Sequence, residues 1–254
     1  MAQNLPLSNI SIVVTRPSRQ SDSFCQKLHQ LGASPIAFPC IDIIPIENQT
    51  QIDTSDLDFV IFVSPNAVVH GLNLIPDPGE LSTYCKFAAV GPSTAESLIN
   101  RGVDHVLCST STTDSEGLLD LPEFQSLEGK SVLIIKGSGG RTLLKNTLIK
   151  RGAKMLTVDT YERALPKVVD TDNLRTKIDL ILFTSSEIAE NFLAITPKDL
   201  QKSLLNCQVI AGHQRIAEKV STLGFEKLPI IAASPADREM LATIKLWAQK
   251  NGEK

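Results

Sequence analysis

The sequence SIVVTRP at Ser11–Pro17 decides the fold, because a close copy of it, SVLIIKG, occupies Ser131–Gly137. The segments that follow also match, with LHQLGA at Leu28–Ala33 and LIKRGA at Leu148–Ala153. Both pairs are 120 residues apart. Matching stretches at one fixed spacing indicate an internal duplication, which has to be recognised before any element is assigned.

A second pair of stretches extends the repeat. DFVIFVS at Asp58–Ser64 returns as DLILFTS at Asp179–Ser185, an offset of 121 residues, and Gly91 falls on Gly212 at the same offset. A period this long indicates two copies of a domain-sized unit rather than a solenoid of short repeats.

The composition excludes several classes of protein. The 254 residues are 42% hydrophobic and 21% charged, with a net charge of -3 and no run of Lys or Arg, which argues against nucleic-acid binding. No apolar run reaches the roughly 18 residues that span a bilayer, so we expect no membrane association. The opening residues MAQNLPLSNI lack the basic and apolar regions of a signal peptide, which predicts a cytoplasmic protein.

Cysteine and histidine are scattered. No two of the five cysteines form a C-x-x-C pair, which favours reduced, mostly buried thiols. The four histidines are far apart and lie in no clustered set with acidic residues, so the sequence predicts no metal site.

Apolar runs and amphipathic stretches alternate along the chain. The runs are nearly continuous, as in strands of a parallel sheet that is covered on both faces. Apolar residues at helical spacing follow most of them, for example within residues 19–31 and 141–151. This alternation predicts the α/β class. The predicted strands are Ile10–Val14, Phe59–Val63, Phe87–Val90, Val132–Ile135, Leu180–Phe183 and Val209–Ala211.

Two proline-bearing segments, Phe38–Ile46 and Asp159–Pro166, interrupt this alternation at equivalent places in the two copies. Proline is confined to edge or connecting strands, because it cannot donate a ladder hydrogen bond. The two segments could pair as a two-stranded bridge. We therefore predict two lobes joined by two crossings, with a cleft between them.

Ligands of open parallel sheets bind at the carboxyl ends of the strands, where helices begin. Six such turns carry glycine, hydroxyl or basic residues, and the free backbone N–H groups of helix starts attract anions. Each turn alone is more often an ordinary helix cap, but two matched sets favour a polyanionic ligand. The candidate binding residues are Thr15, Arg16, Ser64, Asn66, Gly91, Ser93, Thr94, Lys136, Gly137, Gly139, Arg141, Ser185, Ser186, Gly212, His213 and Gln214.

Two candidates need separate comment. The glycine-rich loop that ends at Arg141 lacks the G-K-[ST] ending of a phosphate-binding loop, which disfavours a nucleotide. Arg141 either binds a carboxylate or is simply exposed to solvent. Tyr161, on the second proline-bearing segment, is a candidate proton or hydrogen-bond donor, or else a residue that packs the bridge.

The ordered set of motifs resembles the uroporphyrinogen-III synthase family over residues 10–247, essentially the whole chain. The resemblance rests on TRP at Thr15–Pro17, the FVSPNA that ends at Ala67, VGPSTA around Gly91, the loop Gly137–Arg141 and YER at Tyr161–Arg163. FTSS at Phe183–Ser186 completes the set.

The resemblance implies two flavodoxin-like α/β lobes joined by a two-stranded antiparallel ladder. It implies an enzyme that closes hydroxymethylbilane, a linear polycarboxylate tetrapyrrole, to uroporphyrinogen III. The terminal pyrrole ring is inverted through a spiro intermediate and water is lost, without metal or organic cofactor. Tyr161 would assist departure of the hydroxyl, and the candidate turns would bind substrate. We expect a monomer, with a possible transient contact to the preceding pathway enzyme.

One position departs from the family pattern. A small hydroxyl residue is usual after Gly212, where this chain has Gln214 and Arg215, so His213 or Gln214 could replace that contact. A non-catalytic two-lobe protein that binds a small anion is the main alternative, and a nucleotide-sugar transferase is a second. The missing signal peptide argues against a periplasmic sensor.

The equivalent breaks in the two copies also predict the lobe boundaries. Each lobe would combine the first part of one copy with the second part of the other. One lobe would use residues 1–37 and 167–254, and the inserted lobe residues 47–158. Residues 38–46 and 159–166 would be the linker strands.

Overall fold

The computed structural model describes residues 5–109, 114–140, 142–168 and 170–252. The chain divides into two compact units. Unit 1 comprises Met1–Asp42 and Ala164–Lys254, and unit 2 comprises Ile43–Arg163. The chain therefore passes from one unit to the other twice, within a few residues of the two predicted linker segments.

Unit 1 contains a five-stranded sheet in the order β11-β10-β9-β1-β2, and all four neighbouring pairs are parallel. Numbered within the unit, this is the order 2-1-3-4-5 of doubly wound flavodoxin-like sheets. The strands are β1 Ser11–Val14, β2 Ser34–Ala37, β9 Leu180–Phe183, β10 Gln208–Ala211 and β11 Ile230–Ile231.

Unit 2 contains a six-stranded sheet in the order β3-β8-β7-β4-β5-β6. The pairs from β8 to β6 are parallel and repeat the order found in unit 1, if β7 is taken as the first strand. The strands are β3 Asp42–Pro45, β4 Phe59–Phe62, β5 Lys86–Ala89, β6 Val106–Leu107, β7 Ser131–Gly137 and β8 Lys154–Ala164.

The two copies of the sequence repeat are therefore interleaved. In unit 1, β1 and β2 of the first copy pair with β9 to β11 of the second. In unit 2, β7 and β8 of the second copy pair with β4 to β6 of the first. Both sheets have the same strand order because the copies exchange equivalent halves.

Helices cover both faces of each sheet, which explains the continuous apolar runs. In β1, Val13 packs into one apolar cluster of unit 1, while Ile12 and Val14 pack into the other. In β7, Leu133 and Ile134 divide in the same way between the two clusters of unit 2. The α-helices are α1 Ser18–Gln30, α2 Pro65–Gly71, α3 Pro78–Leu81, α4 Pro92–Ile99, α5 Ser115–Leu119, α6 Leu143–Lys150, α7 Ser186–Ile195, α8 Lys198–Leu205, α9 Gln214–Thr222 and α10 Asp237–Gly252.

The second proline-bearing segment differs from its predicted form. Residues 159–164 continue the 11-residue strand β8, which lies inside the sheet between β3 and β7. Pro166 follows the end of the strand, so it removes no ladder hydrogen bond. The first segment agrees better with its pattern, because β3 ends at Pro45 and forms the edge of the sheet.

The last helix begins later than its capping signal predicts. The sequence SPAD at Ser234–Asp237 predicts a helix that is capped by Ser234 and has Pro235 in its first turn, but α10 begins at Asp237. The Pro235 ring packs against Gly212 instead, and the Pro235 carbonyl accepts a hydrogen bond from Arg16 at 2.7 Å. The helical spacing of Leu241, Ile244 and Trp247 predicts that they face inward, and Ile244 is buried while Leu241 and Trp247 are half-buried against the core.

Candidate active site

The predicted turns lie on one edge of each sheet. In unit 2, strands β7, β4 and β5 are adjacent and parallel, so their carboxyl ends bring the turns at Gly137, Ser64 and Gly91 to one edge. In unit 1, β1, β9 and β10 do the same for Thr15, Ser185 and Gly212. We call these edges the unit 2 rim and the unit 1 rim.

Ser64 and Tyr161 form the central contact of the unit 2 rim. Ser64 has an extended backbone and caps α2, where its hydroxyl oxygen accepts the Ala67 N–H at 3.1 Å. The same oxygen lies 3.0 Å from the phenolic oxygen of Tyr161. Tyr161 is only 3% exposed, and its ring centroid lies 6.0 Å from that of His70. The phenol is thus fixed in position by a helix cap.

Gly137 provides the space that the Tyr161 ring occupies. A Cβ atom at residue 137 would lie 2.5 Å from Cζ of Tyr161 and 2.6 Å from Cε2, closer than real Cβ contacts. The backbone N–H of Ser138 donates to the Tyr161 carbonyl at 2.8 Å, which ties the loop to β8. Glycine is therefore required here by close approach.

Lys136 is held within the glycine-rich loop. Its ammonium group lies 3.0 Å from a carboxylate oxygen of Asp159, and it donates to the carbonyls of Gly137 and Gly139 at 3.0 and 2.8 Å. Gly139 has a φ of 71°, a conformation that favours glycine. Arg141, the remaining candidate of this loop, lies outside the described residues.

The other candidates of the unit 2 rim differ in accessibility. Gly91 is buried with a φ of 88° and precedes α4. Ser93 is exposed, whereas Thr94 is buried and donates to the Val90 carbonyl at 3.0 Å. Asn66 is half-buried in the first turn of α2. Of these side chains, that of Ser93 is the most accessible to a ligand.

Thr15 and Arg16 make internal contacts within unit 1. The Thr15 hydroxyl is fully buried and donates to the Leu182 carbonyl, which joins β1 to β9. The Arg16 side chain is 8% exposed, pairs with Asp237 and lies over the Phe24 ring at 4.5 Å. Both side chains therefore stabilise unit 1 in this structure, and their binding of a ligand stays a prediction.

Asp237 is a partner that the sequence did not reveal. Burial raises its pKa, but hydrogen bonds from Lys27 and Arg16 outweigh burial and hold the pKa of Asp237 below its ordinary value. No local pattern could have indicated this pair, because 221 residues separate Asp237 from Arg16.

The remaining candidates of unit 1 surround two helix starts. The Ser185 hydroxyl caps α7 by accepting the Ile188 N–H at 3.1 Å, and Ser186 is half-buried beside it. Nδ1 of His213 caps α9 by accepting the Arg215 N–H at 3.2 Å. His213 therefore performs the capping that serine performs in α2 and α7.

Gly212 and Gln214 flank that cap. A Cβ atom at Gly212 would lie 2.7 Å from Cβ of Pro235, so a larger residue would displace the segment before α10. Gln214 is exposed and donates to a carboxylate oxygen of Glu218 at 3.0 Å. The Gln214 amide thus lies on the surface near the rim, held by its own helix.

The thiols are unsuited to nucleophilic chemistry. All five cysteines are free, and burial is the main cause that raises each thiol pKa. The pKa rises to about 11 for Cys25 and to about 12 for Cys85. Protonated thiols are poor nucleophiles at neutral pH. Cys40 and Cys85 are buried, and the other three cysteines are half-buried.

Two further properties concern the described part of the chain as a whole. Within it, no three His, Cys, Asp or Glu side chains are grouped so that they could hold a metal ion. Its helices include none with the length and hydropathy needed to cross a bilayer.

Two of the cavities formed by the described residues lie in unit 2. One of about 250 Å³ is formed near the amino ends of β7 and β8, by residues such as Ser131 and Lys154, and no candidate residue lines it. The other, of about 200 Å³, is lined by Lys136, Gly137 and Gly139 of the unit 2 rim. Only the second cavity adjoins the candidate site.

The fold and site define an α/β protein with two flavodoxin-like sheets, each built from halves of both copies of the repeat. Glycine and hydroxyl turns lie along the carboxyl edge of each sheet. A profile of the family described as uroporphyrinogen-III synthase HemD matches residues 22–242. The chain therefore belongs to the uroporphyrinogen-III synthase family, a family of enzymes of heme biosynthesis.

Individual relatives agree with the family match. The chain is 27% identical over 243 residues to uroporphyrinogen-III synthase from Escherichia coli, covering 91% of this chain and 98% of that protein. It is 28% identical over 243 residues to the Salmonella typhimurium protein of the same name, with the same coverage. These similarities favour the enzyme over the non-catalytic binding protein considered above.

Solved structures confirm the fold. The structure of uroporphyrinogen-III synthetase from Helicobacter pylori aligns with a TM-score of 0.63 at 18% identity, covering 95% of this chain and 99% of that one. A mutant uroporphyrinogen III synthase from Thermus thermophilus aligns with a TM-score of 0.58 at 17% identity, covering 95% and 100%. The predicted two-lobe α/β class is thereby confirmed.

Proposed function

We propose that this chain is a uroporphyrinogen-III synthase, which closes hydroxymethylbilane to uroporphyrinogen III with inversion of the terminal pyrrole ring and loss of water. Family membership supports the reaction. The observation that carries the assignment of roles is the 3.0 Å contact between the phenolic oxygen of Tyr161 and the Ser64 hydroxyl at the unit 2 rim.

Departure of the substrate hydroxyl needs a proton. Tyr161 is proposed to donate its phenolic proton as the carbon–oxygen bond breaks, so that the hydroxyl leaves as water. The resulting carbocation, stabilised by the pyrrole nitrogen, is attacked by a carbon of the terminal ring to give the spiro intermediate. Rearrangement and ring closure then release one proton from a pyrrole carbon, which restores the phenol. The sum is loss of one water molecule.

Binding of the carboxylates is assigned to the helix starts of both rims. A single exposed contact of an anion with a helix N-terminus contributes only about 0.3–1 kcal/mol, so several contacts must act together. The side chains of Ser64 and Ser185 already cap their own helices, which leaves backbone N–H groups and exposed side chains such as Ser93 as the proposed donors. Catalysis would then depend mainly on positioning the substrate.

The cellular setting is part of the proposal. Five free thiols support a reducing compartment, so we place the enzyme in the cytoplasm. We propose that it acts as a monomer and contacts the preceding pathway enzyme only transiently.

The decisive experiment is an isomer assay. Purified protein is incubated with hydroxymethylbilane, and the products are oxidised and separated by chromatography. The type III isomer is expected, whereas the uncatalysed reaction yields type I. Type I product alone would contradict the assignment and would favour a binding protein.

A further inference from the structure

The 200 Å³ cavity of unit 2 has a chemical character of its own. It lies on the α6 side of the sheet, where Ile134 of β7 pairs in register with Thr157 of β8. Val63, Ile134 and Leu144 form an apolar wall, and the glycine-rich loop forms another side. Gly137 also contacts the Tyr161 ring, but that ring packs in the apolar cluster on the other face of the sheet, with Leu133 and Ile135.

Three basic side chains line this cavity. Lys136 is paired with Asp159. Arg163 lies beside the glycine-rich loop and donates a hydrogen bond to the Ser138 carbonyl at 3.2 Å. Lys145 is exposed and is the third residue of α6. A lysine in the first turn opposes the helix dipole, so its position does not serve the stability of the helix.

Two polar features of the cavity are left unsatisfied. The hydroxyl oxygen of Thr157 is buried and has no hydrogen-bond partner among the described residues. Thr142, at the start of α6, makes no side-chain capping bond, and no acidic residue lies in the first turn of that helix. Ser64 and Ser185, in contrast, cap their helices. An orphaned hydroxyl and an uncapped helix start in a basic cavity suit an anion.

We infer that this cavity binds one carboxylate side arm of the tetrapyrrole, an inference that rests on the proposed function. The apolar wall contacts the methylene groups of the arm. Lys145, Arg163 and the Thr157 hydroxyl contact its carboxylate. An arm with apolar methylene groups and a carboxylate fits this cavity better than an inorganic anion, which would leave the apolar wall without a contact. Lys145 and Thr157 are then specificity-determining residues.

The test compares Lys145→Gln and Thr157→Val with the matched control Lys150→Gln, an exposed lysine in the last turn of the same helix. KM for hydroxymethylbilane is expected to rise about fivefold in the first two variants, the effect of one lost hydrogen bond, while kcat changes less than about twofold. The control should match the wild type. The melting temperature of Thr157→Val should equal or exceed that of the wild type, because an unsatisfied buried hydroxyl is removed.

A binding measurement separates this inference from the proposed function. The affinity of each variant for uroporphyrin III, a stable polycarboxylate, is measured by fluorescence titration. Weaker binding in both cavity variants but not in Lys150→Gln supports the inference, even if the wild type produced no type III isomer. Equal affinities and equal KM values in all variants would overturn it. Acetate that displaced the porphyrin would indicate a site for free anions and would also overturn it.

Discussion

The phenolic oxygen of Tyr161 lies 3.0 Å from the hydroxyl oxygen of Ser64, which also accepts the Ala67 N–H at 3.1 Å. A serine hydroxyl has one hydrogen to donate and two lone pairs. When Ser64 donates its hydrogen to the phenolic oxygen, the hydrogen of Tyr161 is free to point toward a ligand. In the proposed mechanism, this helix cap would set the direction in which Tyr161 delivers its proton.

Replacement of Tyr161 by Phe should reduce turnover while the protein stays folded. The ring continues to fill the space over Gly137, and only the hydroxyl is lost. Loss of a general acid reduces the rate by about 100-fold or more when proton transfer limits it. Since positioning contributes most in this proposal, we expect at least about a 10-fold loss in kcat for type III product. Tyr84→Phe, at a residue that is 65% exposed, is the control. Unchanged turnover would remove Tyr161 from the mechanism.

Replacement of Ser64 by Ala should affect both stability and turnover. Loss of an N-cap costs about 1 kcal/mol, and Tyr161 also loses its hydrogen-bond partner. Urea unfolding gives the first effect, and kcat gives the second. In a double-mutant cycle with Tyr161→Phe, the effects on kcat should be clearly less than additive, because the two hydroxyls act together.

Ser185 supplies the matched control for that cycle. It caps α7 as Ser64 caps α2, at the equivalent position of the repeat, with its hydroxyl accepting the Ile188 N–H at 3.1 Å. Ser185→Ala should therefore lose a similar unfolding free energy, about 1 kcal/mol. Its effect on kcat should add to that of Tyr161→Phe. Additive effects in the Ser64 cycle as well would show that the 3.0 Å contact has no catalytic role.

Replacement of Gly137 by Ala should displace the Tyr161 ring. The new methyl group would overlap with Cζ and Cε2, and overpacking of this kind costs about 1–3 kcal/mol. Turnover should fall together with stability, because the phenol moves away from Ser64. Thermal unfolding and kcat are measured in parallel with Gly79→Ala, where the new Cβ would lie 3.5 Å from its nearest neighbour. Equal effects of the two substitutions would contradict the packing argument.

The fold could be predicted well because most strands are marked by a local run of apolar residues. Leu180–Phe183 has the bounds of β9, and the other five predicted strands differ from the observed ones by only a few residues. Strand β2 and the first residues of β8, 154–158, were not among the predicted strands. Strands β6 and β11 were also missed, because two residues are too few for a periodic pattern. Residues 159–164 were separated from the strand before them because Pro166 suggested an edge, although proline has no such effect beyond a strand end.

The candidate site was less predictable, because its side chains depend on contacts between distant residues. The position of Ser64 after β4 indicated a helix cap, but nothing near it pointed to Tyr161, 97 residues away. Arg16 resembled a free cation in the sequence, yet its buried side chain pairs with Asp237. The cavity lined by Thr157 and Lys145 requires two strands and a helix to be brought together. Turn chemistry shows where a rim lies, whereas tertiary packing decides which side chains remain available.

Replacement of Asp237 by Asn should reduce stability in a pH-dependent way. The pKa of Asp237 is lowered in the folded protein, because hydrogen bonds from Lys27 and Arg16 outweigh burial. A lowered pKa stabilises the fold at pH values above the unfolded pKa of about 3.9, and the stabilisation is lost as the pH falls through the folded value. At pH 7 we expect the variant to lose about 1–2 kcal/mol, since Asp237 is partly exposed to solvent.

Urea unfolding of both proteins at pH 7, 5 and 3 checks this expectation. The difference in unfolding free energy should persist from pH 7 to about 5 and shrink near pH 3, where protonation of Asp237 in the unfolded state favours unfolding of the wild type. The control is Asp199→Asn, because Asp199 pairs with Arg175 on the surface and both side chains are more than half exposed. Its effect should be much smaller at every pH, since solvent screens exposed pairs. A difference for Asp237→Asn that stayed constant down to pH 3 would mean that packing of the side chain, and not its charge, holds the start of α10 against Arg16.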